Sequence, residues 1–169
     1  MRVAIVTVSD SISAGEGSDT SGAAVRSWCS DRGDDVVSHD VVGDETSVIA
    51  PLLASLCDSG AVDLVVTTGG TGLSQRDVTP EATRAIIERE AAGIAEFIRA
   101  SSVERVPRAA LSRGIAGTRG STLIVNLPGS TQGVKDGLTT ILPIIDHAIG
   151  VLSGTVTRHD SAPSSQPVT

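Results

Sequence analysis

Aromatic side chains and lysine are nearly absent from this sequence of 169 residues. Trp28 and Phe97 are its only aromatic residues, and Lys135 is the only lysine among 13 basic residues. Proteins that bind single-stranded nucleic acids usually stack bases on aromatic rings, and nucleic-acid surfaces are generally basic. Because the chain has few rings and a net charge of −7, we do not expect it to bind nucleic acid.

Cysteines and long apolar runs are also scarce. Cys29 and Cys57 show no CxxC spacing, so we expect two reduced, buried thiols in a reducing compartment. The apolar run at residues 3–8 is too short for a signal peptide, and no run approaches the length of about 20 residues that a membrane span needs. These absences predict a cytoplasmic protein with no membrane partner.

Common nucleotide-binding and hydrolase motifs are missing. The turn at Gly70 and Gly72 lacks the third glycine of a dinucleotide-binding fingerprint, and no GxxxxGK[ST] motif occurs. A GxSxG elbow is absent, and the three histidines stand alone in the sequence, which disfavours a nucleophilic hydrolase. A site in this chain must therefore rely on carboxylates, hydroxyls and backbone amides.

The sequence does contain apolar, β-branched runs that alternate with helical segments. Strands are predicted at residues 2–8, 35–42, 62–67 and 121–127. Helices are predicted at residues 21–32 and 47–58, from residue 79 onward, and at 131–152. This alternation predicts an α/β fold, a three-layer sandwich whose mostly parallel sheet has helices on both faces. One domain is expected over residues 1–153, followed by a disordered tail over 154–169.

Unusual residues collect in the loops where the predicted strands end. In sheets of this kind, ligands bind outside the carboxyl ends of the strands. The loops at those ends are Ser9-Asp10, residues 43–45, residues 69–77 and residues 126–131. We therefore expect one composite site that all four loops form.

The glycine turn at residues 69–72 is the centre of that predicted site. It follows a buried strand, and Thr79-Pro80 predicts an N-cap and a first helical position just beyond it. Exposed backbone amides in such a turn suit a phosphorylated ligand. Acids near helix starts often only cap amides, and we prefer that interpretation for Glu45 and Glu81. We do not prefer it for Asp77, because Thr79 already supplies the predicted cap.

A second acid, Asp44, is predicted at a neighbouring strand end. Two carboxylates beside a phosphate site suggest Mg²⁺, which a protein commonly holds with few carboxylates and several phosphate oxygens. The acids Asp44 and Asp77 are therefore the candidate metal ligands.

The segment TTGGTGLSQRDVTPEAT, residues 67–83, resembles the signature of the molybdopterin-binding family. That family includes the molybdopterin adenylyltransferases of the MogA and MoaB type and the matching domains of gephyrin and plant homologues. Further segments that agree with the family are Val8-Ser9-Asp10, Leu111-Ser112-Arg113, residues 120–124 and residues 126–130. The resemblance spans about residues 2–152, nearly the whole chain.

The resemblance implies an enzyme of molybdenum cofactor biosynthesis. Such an enzyme transfers AMP from ATP to the terminal phosphate of molybdopterin and releases pyrophosphate. It implies that Asp44 and Asp77 are catalytic and bind Mg²⁺, and that Ser121 and Thr122 contact the pterin phosphate. Other substrate-binding residues that it implies are Ser9, Asp10, Gly69, Gly70, Thr71, Gly72, Pro128 and Gly129. It also implies a homotrimer, with the molybdenum-insertion enzyme as a candidate partner.

Two alternatives stay open at the level of sequence. Gly43 and Thr131 stand where family members often carry proline, and Gly43 loosens the loop that holds Asp44. A trimeric carrier or scaffold could bind molybdopterin without catalysing any reaction, although the presence of both acids favours the enzyme. A third possibility is a domain that acts on nucleotide sugars or pyrophosphates, as in competence-damage proteins. Those proteins usually carry an additional domain.

Overall fold

The apolar, β-branched runs form a six-stranded sheet in the computed structural model, which describes residues 1–156. The strands are β1 (Arg2–Val8), β2 (Asp35–Val42), β3 (Leu64–Thr68), β4 (Arg89–Glu90), β5 (Ala116–Arg119) and β6 (Thr122–Leu127). The helices are α1 (Asp10–Ser13), α2 (Thr20–Arg32), α3 (Thr46–Asp58), α4 (Thr79–Arg84), α5 (Ala92–Val103) and α6 (Thr131–Leu152). A short 3₁₀ helix covers Pro107–Leu111. Most of the predicted disordered tail, 154–169, lies outside the described residues.

The strand order in the sheet is β2-β1-β3-β6-β5-β4. Strands β2, β1, β3 and β6 are parallel, whereas β5 and β4 are antiparallel to their neighbours. Thr7 pairs with Thr68, and Thr68 pairs with Leu127, so the central strands end side by side. The mostly parallel sheet that the sequence predicts is confirmed.

Helices cover both faces of this sheet because the central strands are apolar on both sides. Ile5 and Val66 face one core, where α2, α5 and α6 pack. Val6 and Val65 face the other core, where α3 and α4 pack. The predicted three-layer sandwich is therefore present. Within residues 1–156, no helix is both long and apolar enough to cross a membrane.

The segment after the glycine turn differs from the sequence prediction. The helix that begins at Thr79 ends at Arg84, and the chain then enters the sheet as β4, beside the unpredicted strand β5. Backbone bonds from Glu88 N to Thr118 O and from Ala91 N to Ala116 O, each 2.8 Å long, hold it there. Pairing with a distant strand outweighs local helix propensity in this segment.

Candidate active site

Loops that follow the parallel strands meet at one edge of the sheet. Ser9 N donates to Val42 O at 2.8 Å, which joins the ends of β1 and β2. Gly69 N donates to Leu127 O at 3.2 Å, which joins the ends of β3 and β6. A small cavity of about 260 Å³ opens there. Its lining residues are Thr7, Val8, Ser9, Ile12, Ser21, Asp44, Thr68, Gly69, Gly70, Asp77 and Gly129.

The glycine turn needs glycine for steric reasons. Gly69 and Gly70 have φ values of 99° and 62°, which residues with a side chain rarely adopt. A Cβ at Gly69 would lie 2.1 Å from Val8 O, and a Cβ at Gly70 would lie 2.3 Å from Thr79 Oγ1. A Cβ at Gly129 would lie 3.2 Å from the Gly69 Cα, so the two loops touch through their backbones. The missing side chains leave main chain exposed to the small cavity.

Thr79 does not cap the helix that follows the turn, which corrects the sequence interpretation. It is the first residue of α4, and the preceding residue, Val78, makes no side-chain cap bond. Its buried hydroxyl donates to Gly69 O at 2.9 Å, and its amide donates to Gly70 O at 3.1 Å. Thr79 therefore fixes the shape of the glycine turn, because it ties both turn carbonyls to the start of α4.

Asp44 reaches the small cavity from the loop after β2. Its Oδ2 accepts from Asp10 N at 3.0 Å, and Asp44 N donates to Asp10 Oδ1 at 2.9 Å. Burial raises the pKa of the Asp44 carboxyl above its usual value, and the neighbouring Asp10 and Asp77 carboxylates add to this rise. The ionised form of Asp44 is thus held in a place that disfavours it, as is common at functional sites.

Asp10 lies at the rim, where it binds an arginine. Arg76 donates from Nε and Nη2 to the two Asp10 carboxylate oxygens, at 3.0 and 2.9 Å. This bidentate bond lowers the pKa of the Asp10 carboxyl, and the amide of Asp44 lowers it further. About half of each side chain remains exposed, so the pair is open to competition from an incoming anion.

Asp77 lies between the small cavity and a second, larger one. Its Oδ2 accepts from Ser74 N at 2.8 Å, which closes the turn that leads to α4. The larger cavity has a volume of about 500 Å³ and shares Gly70, Asp77 and Gly129 with the small one. The two cavities therefore meet at a carboxylate and two glycines.

The large cavity is the part of the site that the sequence did not reveal. Thr71, Gly72 and Pro128, which the resemblance implies bind substrate, lie in its wall rather than in the small cavity. Its additional residues are Ile98, Arg99, Ser102, Val106, Arg108, Ala109, Leu111, Ser112, Ser130, Gln132, Gly133 and Asp136. The only sequence signal was the irregular passage at residues 108–120, where arginine, serine and glycine stand close together.

Ser121 and Thr122, which the resemblance implies contact the pterin phosphate, line neither of the two cavities. Thr122 begins β6, where its buried hydroxyl donates to Val62 O at 2.8 Å, and Ser121 precedes it at the turn from β5. Leu127, at the other end of β6, adjoins the site; five strand residues span about 17 Å. Within one chain these two residues are at the opposite edge of the sheet.

The residues present fit a magnesium ion that is shared with phosphates. Within residues 1–156, no group of three or more His, Cys, Asp or Glu side chains is arranged to hold a metal ion alone. Asp44 and Asp77, however, both line the small cavity beside the glycine turn. Mg²⁺ is commonly bound by one or two carboxylates with phosphate oxygens and water, so two acids suffice when a phosphorylated ligand is present.

Comparison with known proteins identifies close relatives. The family described as a probable molybdopterin binding domain matches residues 4–147 of this chain. A molybdopterin adenylyltransferase of Helicobacter pylori is 36% identical over 156 residues, which cover 91% of this chain and 89% of the relative. The molybdopterin adenylyltransferase of Escherichia coli K12 is 37% identical over 140 residues, 82% of this chain and 72% of the relative.

A solved structure shares the fold. The molybdopterin biosynthesis enzyme MoaB of Thermus thermophilus superposes with a TM-score of 0.86 at 44% identity. The superposition covers 90% of this chain and 96% of that one. The sequence match thus covers 89% and 72% of the two adenylyltransferases, and the fold match covers 96% of the Thermus thermophilus chain.

Proposed function

This chain belongs to the molybdopterin-binding domain family, and on that premise we propose that it is a molybdopterin adenylyltransferase of molybdenum cofactor biosynthesis. The resemblance seen in residues 67–83 is thereby confirmed. The observation that carries the proposal is the position of Asp77 where two cavities meet, because an adenylyl transfer must bring two phosphorylated substrates together. The relatives that are named for this activity match most of the chain.

In the proposed reaction, a terminal phosphate oxygen of molybdopterin attacks the α-phosphorus of ATP. A new phosphorus–oxygen bond forms, the bond between the α-phosphorus and the bridging oxygen breaks, and pyrophosphate leaves with that oxygen. The attacking oxygen is already an anion, so the site needs no general base. The small cavity is consistent with this, because its lining contains neither histidine nor cysteine.

The protein contributes position and charge. Gly69 and Gly70 line the small cavity. The Gly69 amide already donates to Leu127 O, so Gly70 is the glycine whose amide would donate to phosphate oxygens. Arg76 is paired with Asp10, whose amide binds Asp44, and its guanidinium would add positive charge near the same anions. Asp44 and Asp77 would hold Mg²⁺ with the phosphates, and the bound ion would supply charge neutralisation there.

The assembly and the surroundings of the protein form a further part of the proposal. The family resemblance supports a cytoplasmic homotrimer that passes its product to the molybdenum-insertion enzyme. The roles of ATP and of Asp10, Ser9 and Gly129 as substrate contacts rest on the same resemblance and on their places at the strand ends.

One assay separates the enzyme from a carrier. Purified protein is mixed with ATP, Mg²⁺ and molybdopterin, and adenylylated pterin and pyrophosphate are measured. The proposal predicts that both products appear in equal amounts and only when all three components are present. Binding of molybdopterin with no product would instead support the non-catalytic carrier.

A further inference from the structure

Arg113 hydrogen-bonds to the glycine turn but lines neither of the two cavities. Its Nε donates to Gly72 O at 2.6 Å, and its Nη2 donates to Asp77 O. Its Nη1 binds Glu81 Oε1, and its backbone amide donates to Thr71 O at 2.8 Å. All of these bonds go to the stretch from Thr71 to Glu81. The motif Leu111-Ser112-Arg113 thus supplies an arginine that holds this stretch, and the proposed reaction assigns that arginine no role.

Movement of this stretch would move the Asp77 carboxylate. A Cβ at Gly72 would lie 2.9 Å from Asp77 Oδ2, so the turn and the carboxylate are close together. The same oxygen accepts from Ser74 N, so its position depends on the backbone from Gly72 to Asp77. Arg113 binds the carbonyls of both Gly72 and Asp77, the two ends of that backbone.

The Arg113 guanidinium is occupied by these partners. Each of its three nitrogens has an acceptor, and Glu81 balances its charge. Arg76, in contrast, pairs with a half-exposed carboxylate at the rim. Of the two arginines, Arg113 is therefore the one suited to holding the protein in place, and Arg76 the one suited to meeting a ligand.

We propose that Arg113 is a positioning residue for adenylyl transfer, which fixes the spacing between the glycine turn and the Asp77 carboxylate. The inference rests on the proposed function for its effect on rate, but not for its effect on the loop. A planar guanidinium can reach two carbonyls and a carboxylate at once, whereas a lysine ammonium is a single point of charge. Arg113→Lys therefore keeps the charge and loses the spacing.

Arg119 provides a matched control at the opposite edge of the sheet. Its Nε and Nη2 donate to the two Asp58 oxygens, both at 2.8 Å, and its Nη1 donates to Ile86 O at 3.1 Å. Its side chain is 29% exposed, compared with 34% for Arg113. Arg119→Lys thus removes a similar set of bonds far from the site.

The test compares the two variants in two measurements. In the ligand-free protein, amide hydrogen exchange of residues 69–77 should become about tenfold faster in Arg113→Lys and stay unchanged in Arg119→Lys. In the adenylylation assay, kcat of Arg113→Lys should fall about 10- to 100-fold and the Mg²⁺ concentration for half-maximal rate should rise. For Arg119→Lys, both kinetic values should match the unmodified protein.

Each outcome decides the proposal. Unchanged exchange at residues 69–77 in Arg113→Lys, or an equal loss of kcat in Arg119→Lys, would overturn it. An unfolded Arg113→Lys protein beside a folded Arg119→Lys protein would also overturn it, because Arg113 would then serve global stability. If the unmodified protein makes no adenylylated pterin, the proposed function fails, while the exchange measurement still tests the loop.

Discussion

The two edges of the central sheet use charge differently. At the amino ends of the parallel strands, carboxylates are matched by arginines. Arg2 Nη2 lies 2.6 Å from Asp63 Oδ1, and Arg119 binds both oxygens of Asp58. These pairs tie the start of β1 to the loop before β3 and the end of β5 to the end of α3.

At the carboxyl ends, acidic side chains outnumber their partners. Asp10 begins α1, whereas Asp44 and Asp77 lie in loops, and the arginine that binds this group is Arg76, through Asp10. Glycines replace side chains in the same place, so main chain and carboxylates face open space. Among these three acids, burial disfavours the ionised form of Asp44 and raises the pKa of its carboxyl. The contrast indicates that one edge serves stability and the other serves ligands.

The largest difference in activity between substitutions at the two edges is expected for Asp77. Asp77→Asn should retain the fold, because an amide oxygen can still accept from Ser74 N, but should lower kcat by about 100-fold or more. Asp58→Asn, at the opposite edge, should leave kcat unchanged. Initial rates of pyrophosphate release measure both. Full activity in Asp77→Asn would contradict the catalytic role that we assign to Asp77.

Two glycines with positive φ sharpen the same comparison. Gly70 has φ 62°, and a Cβ there would also lie 2.9 Å from Asp44 Oδ1; Gly120 has φ 54° with no atom within 4 Å. Gly120→Ala should cost about 1 kcal/mol of unfolding free energy through backbone strain alone. Gly70→Ala should cost about 2–4 kcal/mol and abolish ATP binding. Denaturant unfolding and calorimetric titration measure these values, and equal costs for the two variants would contradict this steric account.

Substitution of the exposed Arg76 should have a smaller effect, confined to substrate binding. Arg76→Met should raise KM for ATP by about tenfold, because a cation beside the phosphates is lost. Arg84, whose Nη2 lies 3.7 Å from Glu90 Oε1 in an equally exposed pair, provides the matched control as Arg84→Met. Neither variant should change stability by more than about 1 kcal/mol. Steady-state kinetics at low salt would measure the difference in KM for ATP between the two variants. An equal KM in both would contradict a role for Arg76 in ATP binding.

The comparison can also be made between two acids on the same edge. Asp19 accepts hydrogen bonds from Thr7, Ser21, Gly22 and His39, at 2.6, 3.1, 2.7 and 2.8 Å. Burial alone would raise the pKa of this carboxyl, but these bonds outweigh it and the pKa is lowered. Asp19 is therefore a structural acid, although it lies near the site.

Asp19 and Asp44 should consequently change stability with opposite signs, and the change at Asp44 is the smallest effect predicted. The lowered pKa of Asp19 stabilises the fold above the unfolded value of about 3.9, and this is lost as pH falls through the folded pKa. The raised pKa of Asp44 destabilises the fold at neutral pH, and this penalty disappears as pH falls.

At pH 7, Asp19→Asn should lower the unfolding free energy by about 1–2 kcal/mol, and Asp44→Asn should raise it by about 0.5 kcal/mol. Denaturant unfolding between pH 7 and pH 3 should show both differences shrinking. A loss of stability in Asp44→Asn would contradict the account of its burial.

Much of the fold follows from local pattern, and the exceptions have a common cause. The runs that became β1, β2, β3 and β6 are apolar and β-branched, so they were predicted. Strand β5, with the sequence AGTR, has no such run and is a strand only because it pairs with β6. Strand β4 forms in the same way, at the end of a segment with helical character.

The candidate site was predictable where it depends on strand ends and unpredictable where it depends on packing. Asp44, Asp77 and the glycine turn follow from the rule that ligands bind at carboxyl ends. Thr122 belongs to a segment that matches the family, but strand direction places it at the other edge. The large cavity forms between α5, the 3₁₀ helix and the start of α6, whose arrangement no local pattern records.

Amide NMR of the protein titrated with ATP and Mg²⁺, without molybdopterin, tests the division of the two edges most directly. The account predicts chemical-shift changes around residues 8–10, 43–45, 68–77 and 128–130, and none around residues 58–63 and 119–122. Changes centred on the second set of residues would contradict it.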